Sequence, residues 1–132
     1  MPGKKATKTK KGAKILVVED EKALNDMYRM WLEAHDFEVV TADNGVTGIE
    51  KAIHEMPSLI VLDVLLPKKD GFEVLSELRG NPKTKKIPVI ILSSLDQDFE
   101  QRQGLHLGAE KYLVKTNISP DILFETVSNL LK

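Results

Sequence analysis

"SLIVLDVLLPKKDG", running from Ser58 to Gly71, is the most informative stretch of this chain. Leu59 to Leu62 form a short unbroken apolar run, which suits a strand covered on both faces rather than one alternating between core and water. The run ends on the carboxylate of Asp63, and Pro67 and Gly71 then break the chain into a turn. An aspartate at the mouth of a buried strand needs neighbours that tolerate its charge, so the flanking segments must supply them.

On either side, the same alternation of elements recurs. "KILVVE" (residues 14–19) and "FEVVTA" (37–42) predict strands before Ser58, and "IPVIILSS" (87–94) and "KYLVK" (111–115) predict strands after Gly71. Between them lie helical patterns. Leu24, Met27, Tyr28 and Trp31 fall at i, i+3, i+4 and i+7, while Val46, Ile49, Ile53 and Met56 repeat a helical spacing until Pro57 stops it. Phe72, Leu75 and Leu78 mark a third helix, ended by Gly80-Asn81-Pro82. "DQDFEQRQGLHLG" predicts a weakly anchored fourth helix with Gly104 inside it, at a cost of about 1 kcal/mol against alanine. The last helix starts with a Ser119 cap and Pro120 at its first position, with Leu123, Val127, Leu130 and Leu131 as its stripe.

Five strands alternating with five helices through short loops require an α/β, doubly wound, mostly parallel sheet with helices on both faces. In such sheets ligands bind beyond the carboxyl ends of the strands. The residues just past the strand ends, Glu19 and Asp20, Asp63, Ser93 and Lys115, therefore collect on one edge. Three carboxylates this close repel unless a cation sits among them, and a hard divalent ion with oxygen ligands, most commonly Mg²⁺, meets that need. One carboxylate could then attack a phosphoryl group while Ser93 and Lys115 contact its oxygens. Each residue also has a plainer role: Glu19 and Asp20 as helix caps, Ser93 as a loop hydroxyl, Lys115 as a surface charge. Their joint placement at four strand ends favours the chemical reading.

The totals bound the rest. The chain has 132 residues, 42% of them hydrophobic, which is one domain with enough apolar material for a core. With no cysteine there is no disulfide or thiolate metal site, and a cytoplasmic location is expected. No apolar run approaches the roughly 18 to 20 residues that span a bilayer, so no membrane association is expected. The net charge of −1 conceals six lysines in residues 1–14, leaving 13 basic against 20 acidic residues in the remainder. Residues 1–13 read as a basic flexible tail and residues 14–132 as the domain, with nucleic acid unexpected as a partner except through that tail. His35, His54 and His106 show no metal-ligand spacing.

"VVEDE", "LIVLDVLLPKKDG", "VIILSS" and "LGAEKYLVK", in identity and mutual spacing, resemble the receiver domain of two-component response regulators, from about Lys14 to Lys132. That resemblance implies a flavodoxin-like sheet of order 2-1-3-4-5. It also implies Asp63 as phosphoacceptor, Mg²⁺ held by Asp20, Asp63 and the main-chain carbonyl of Leu65, and Glu19 supporting the ion through water. Ser93 would be the switch hydroxyl, Lys115 the cation paired with the phosphoryl group, and Tyr112 the aromatic that changes rotamer with state. A histidine kinase, phosphotransfer protein or small phosphodonor would load the domain, and helix four, strand five and helix five would pass the signal to a protein target, the chain being a monomer or weak dimer. It would be a signalling switch rather than an enzyme, catalysing only its own phosphorylation and dephosphorylation. Thr116 stands where the family usually has proline after the lysine, which disfavours a cis bond there by about 2.5 to 4 kcal/mol. Two other classes share the fold: an interaction module never phosphorylated, and an enzyme or flavin carrier, although "EDEKA" after strand one would repel a phosphate.

Overall fold

The computed structural model describes residues 12–132. In chain order the elements are β1 (Lys14–Val18), α1 (Lys22–Glu33), β2 (Glu38–Ala42), α2 (Gly45–Glu55), β3 (Leu59–Leu62), α3 (Gly71–Gly80), β4 (Val89–Ser93), α4 (Asp98–His106), β5 (Lys111–Val114) and α5 (Pro120–Leu131). A 3₁₀ turn, Lys115–Asn117, links β5 to α5. All neighbouring strands pair in parallel in the order β2-β1-β3-β4-β5, so the expected 2-1-3-4-5 arrangement is present.

The period-two alternation of the central strands divides the core in two. Leu16, Val18, Ile60, Leu62, Val89 and Ile91 face one way, against Ala52, Val74, Leu75 and Leu78 of α2 and α3. Ile15, Val17, Leu59, Val61, Ile90 and Leu92 face the other, against Tyr28, Leu32, Leu123, Val127 and Leu131 of α1 and α5. Each fully buried aliphatic side chain contributes about 1.5–3 kcal/mol. Both faces of β1, β3 and β4 being covered explains why those strands read as continuous apolar runs.

In two helices the most buried line is displaced from the expected stripe, although in α1 all four expected residues still pack against the core. In α1 the buried line is Asn25, Tyr28 and Leu32, with Leu24, Met27 and Trp31 on its shoulder. In α2 the buried residues are Gly45, Gly48 and Ala52, while Met56 is 51% exposed and ends the helix in the left-handed region at φ 46°. The reason is close approach: a Cβ on Gly48 would sit 3.0 Å from Val18 Cγ1, so only small residues bring α2 down onto β1. The third and fifth helices follow the sequence more closely. Asp70 and Glu73 form a capping box on α3, and Ser119 Oγ accepts from Ile122 N–H with Pro120 at the first position of α5.

Residues 1–11 of the expected tail lie outside the described residues. Gly12 N–H donates to Asp36 O at 2.9 Å and Ala13 O accepts from Glu38 N–H at 3.0 Å, so main-chain bonding already begins at residue 12, just ahead of the expected boundary. No described helix is long and apolar enough to cross a membrane. All peptide bonds among the described residues are trans, the Lys115–Thr116 bond included.

Candidate functional site

Sheet register builds the site. Val18 pairs with Leu62, so the next residues, Glu19 and Asp63, emerge side by side. Their strands continue one alternation, Ile15-Val17-Glu19 and Leu59-Val61-Asp63, which gives both carboxylates the same parity. Leu62 pairs with Ile91, and Ser93 with Val114, which brings Ser93 and Lys115 to the same edge.

All five residues gathered from the sequence meet here. Glu19, Asp63 and Ser93 are buried, at 2%, 3% and 0% exposure, whereas Asp20 is open to solvent. Carboxylate oxygens of Glu19, Asp20 and Asp63 all lie within 4.8 Å of one another. Lys115 Nζ reaches into the cluster, 2.6 Å from Glu19 Oε1 and 3.0 Å from Asp63 Oδ2. Asp63 Oδ1 accepts from Val64 N–H at 2.7 Å, and Glu19 Oε2 accepts from Glu21 N–H at 3.0 Å. Glu19 therefore does serve the start of α1, whose N-cap residue is Glu21, but its other oxygen faces Lys115.

Burial pushes the Glu19 carboxyl up, with the Asp63 charge adding to the effect and the Lys115 ammonium and Glu21 N–H only partly offsetting it. For Lys115, burial works to lower the pKa, yet the hydrogen bonds and charges of Glu19 and Asp63 together hold it above the ordinary lysine value. The ammonium stays charged and neutralises part of the negative edge. Three hard oxygen donors in this compass fit a small divalent cation such as Mg²⁺, the donor set that ion prefers.

Ser93 Oγ accepts from Leu95 N–H at 3.2 Å. Two residues on from the hydroxyl, Leu95 O accepts from the Tyr112 hydroxyl at 2.7 Å, so Tyr112 is tied to the loop that carries Ser93. Burial raises the Tyr112 pKa and keeps its proton available for that bond. The ring also lies against α4: a Cβ on Gly104 would come 2.7 Å from Ile91 Cδ1 and 3.0 Å from Tyr112 Cδ2. Leu65, two places beyond Asp63, is 53% exposed, and Leu95 is half-buried.

Two contributors escaped the sequence reading. Asn25, in the first turns of α1, is buried and donates from Nδ2 to Glu19 O at 2.9 Å and Ala42 O at 3.2 Å. Gly71 N–H donates to Val64 O at 2.8 Å, and a Cβ on Gly71 would collide with the main chain of Asp63 and Val64, so this glycine lets α3 start directly against the site. The turn signal "PKKDG" pointed to the glycine as a breaker, but nothing in an asparagine's spacing announces a carbonyl clamp.

Fold and site define a doubly wound, flavodoxin-like protein with an acidic, cation-ready edge beside a buried hydroxyl and a paired lysine. The chain belongs to the response regulator receiver domain family, whose model matches residues 15–128. It is 42% identical over 102 residues to the alkaline phosphatase synthesis transcriptional regulatory protein PhoP of Bacillus subtilis, covering 77% of this chain and 42% of that one. It is 38% identical over 120 residues to the response regulator PleD of Caulobacter vibrioides, covering 91% and 26%. The chain thus spans less than half the length of these relatives. Among solved structures, a putative response regulator from Chloroflexus aurantiacus superposes with a TM-score of 0.86 at 29% identity, covering 92% of this chain and 98% of that one. The chemotaxis protein CheY4 of Vibrio cholerae gives 0.84 at 29% identity, covering 90% and 98%.

Proposed function

We propose that this chain is a phosphoacceptor switch of a two-component phosphorelay, with Asp63 as the acceptor. The observation that carries the reading is the contact of Lys115 Nζ with Asp63 Oδ2 at 3.0 Å on a buried carboxylate that also accepts from Val64 N–H. A carboxylate so held is oriented for in-line attack, and the ammonium beside it meets the charge that a phosphoryl group brings. In the transfer, an Asp63 oxygen forms the new bond to phosphorus, while the donor's bond breaks and its electron pair leaves with the donor. The donor is a phosphohistidine of a kinase or phosphotransfer protein, or a small acyl phosphate.

Asp20, Asp63 and the Leu65 carbonyl would hold Mg²⁺, with Glu19 supporting it through water. The chemistry such an ion supplies is neutralisation of negative charge on carboxylate and phosphoryl oxygens. Ser93 then donates to a phosphoryl oxygen and Lys115 pairs with another. Once Ser93 turns toward the phosphoryl group, its bond with Leu95 N–H is lost, and the Tyr112–Leu95 bond is the next link toward α4, β5 and α5. That surface meets a downstream protein. The domain modifies only itself, acts in the cytoplasm and works as a monomer or weak dimer.

Incubation with acetyl phosphate tests the reading. Phosphoprotein should form with Mg²⁺, fail to form with a chelator, and fail to form in Asp63→Asn. Labelling that is indifferent to Mg²⁺ would count against the proposed site.

A further inference from the structure

We infer that Asn25 is a positioning residue for the acidic pair, setting the geometry in which Glu19 and Asp20 receive the metal ion. This rests on the Mg²⁺ reading above.

Asn25 is 7% exposed and lies on α1, while the groups it binds are the carbonyl just past β1 and the last carbonyl of β2. One Nδ2 hydrogen goes to Glu19 O and the other to Ala42 O. Glu19 N–H also donates to Ala42 O, at 3.0 Å, and Asn25 N–H donates to Glu21 O, at 2.9 Å. The turn Glu19-Asp20-Glu21 is therefore closed on both sides by one residue, through its side chain at the start and its main chain at the end. Glu19 completes the closure from within, because its Oε2 accepts from Glu21 N–H.

Without this clamp the turn has weak local support. The N-cap residue Glu21 makes no side-chain capping bond, and the first turn of α1 contains no acidic residue. Asp20 is exposed at the centre of the turn, so no packing holds its carboxylate. The point from which the Asp20 side chain leaves the turn is set by the main chain on either side of it, and that main chain is what Asn25 holds. Asn25 also lines, with Glu19, Asp20, Asp26, Thr41 and Asp43, a cleft of about 370 Å³ opening beside the acidic pair. The clamp is thus at the wall of a cleft that Glu19 and Asp20 share. An asparagine suits the task because only a primary amide, among small neutral side chains, offers two hydrogens to two acceptors at once.

Residues that orient metal ligands typically change metal affinity about 10- to 100-fold when removed. The test is titration of the full chain with Mg²⁺ by calorimetry, with no phosphodonor present, for wild type, Asn25→Ala, Asn25→Ser and Asn25→Gln. Leu32→Ala serves as a control, since it removes a buried side chain of the same helix, about two turns on from Asn25. Asn25→Ala and Asn25→Ser should each raise the Mg²⁺ dissociation constant about tenfold or more. Asn25→Gln, which keeps both amide hydrogens, should recover most of the affinity, and Leu32→Ala should lower thermal stability while leaving affinity at the wild-type value. Wild-type affinity in whichever of the Ala and Ser variants remains folded would overturn the inference, as would equal losses in Leu32→Ala. Should neither variant fold, wild-type affinity in Asn25→Leu, which keeps the size and neutrality but removes the amide hydrogens, overturns it, and a loss there supports it. Absence of Mg²⁺ binding by the wild type would instead overturn the reading on which it rests.

Discussion

Lys115 lies closer to Glu19 than to Asp63, with Nζ 2.6 Å from Glu19 Oε1 against 3.0 Å from Asp63 Oδ2. The lysine is thus shared between two buried carboxylates, one at the end of each neighbouring strand. Before any other cation arrives, a tethered ammonium already offsets part of the charge on the edge.

The burial of this pair sets a pH dependence. Because burial raises the Glu19 pKa, the folded protein holds a proton that the unfolded chain releases in the window just above the ordinary value of 4.5. In that window stability falls as pH rises, and the cost persists toward neutrality. Lys115 acts oppositely: its raised pKa gives stability that is complete at neutral pH and is lost only as alkaline pH passes the folded value. In metal-free buffer, the melting temperature of Glu19→Gln relative to wild type should climb between pH 4.5 and 7. A difference that stays flat across this range would contradict the assignment.

A second expectation concerns α4. Among its nine residues only Gly104 is buried, while Phe99 is 62% and Leu105 48% exposed. A helix so thinly anchored belongs at the low-stability end of the fold. Amide exchange should be faster over residues 98–107 than over β3, and phosphorylation should change it there. Protection equal to β3 in both the free and phosphorylated forms would leave the proposed surface without a mobile element.

The foot of the same helix is held differently. Arg79 donates to Gly108 O from both Nε and Nη2, to Ile87 O and Lys85 O from Nη1, and pairs with Glu110 Oε1 at 3.1 Å. Glu110 Oε1 in turn accepts from Val89 N–H. Arg79→Ala strips two part-buried carbonyls, Gly108 O and Ile87 O, of their partner and should lower unfolding stability by about 2–3 kcal/mol. Denaturant melts check this, and a change below about 0.5 kcal/mol, the usual scale for surface substitutions, would show the clasp to be incidental.

Leucines at 65 and 95 should make the phosphorylated form long-lived. Hydrolysis needs a water held in line with phosphorus, and neither side chain can hydrogen-bond one. Leu65→Asn and Leu95→Glu should each speed loss of the phosphoryl group several-fold in excess Mg²⁺, where each ~1.4 kcal/mol of barrier is tenfold in rate. The exposed setting of Leu65 leaves room for the polar substitute. Equal decay in all three proteins would show that these positions do not control the lifetime.

The strands and their terminal residues were legible because both rest on simple signals: unbroken apolar runs, and the residue standing immediately after each. Register converted that order into proximity, as in Val18 opposite Leu62. The helix faces were less legible wherever small residues do the packing. Gly45, Gly48 and Ala52 carry no hydrophobic signal, so Val46, Ile49, Ile53 and Met56 drew attention away from the buried face of α2. The 3₁₀ turn after Lys115 follows a sequence without the usual proline, and the peptide there is trans as its chemistry required. Asn25 and Arg79 stayed hidden for another reason. Both act on main-chain carbonyls far along the chain, at separations of 17 and 29 residues for Ala42 and Gly108, and such bonds have no periodicity to read.

The switch proposed for this edge depends on Asp63 itself receiving the phosphoryl group. An acyl phosphate on aspartate is reduced by borohydride to homoserine, which marks the residue chemically. After loading with acetyl phosphate and Mg²⁺, reduction and peptide mass analysis should find homoserine at position 63 and aspartate at 20. Homoserine at another position, or undiminished labelling of Asp63→Asn, would contradict it.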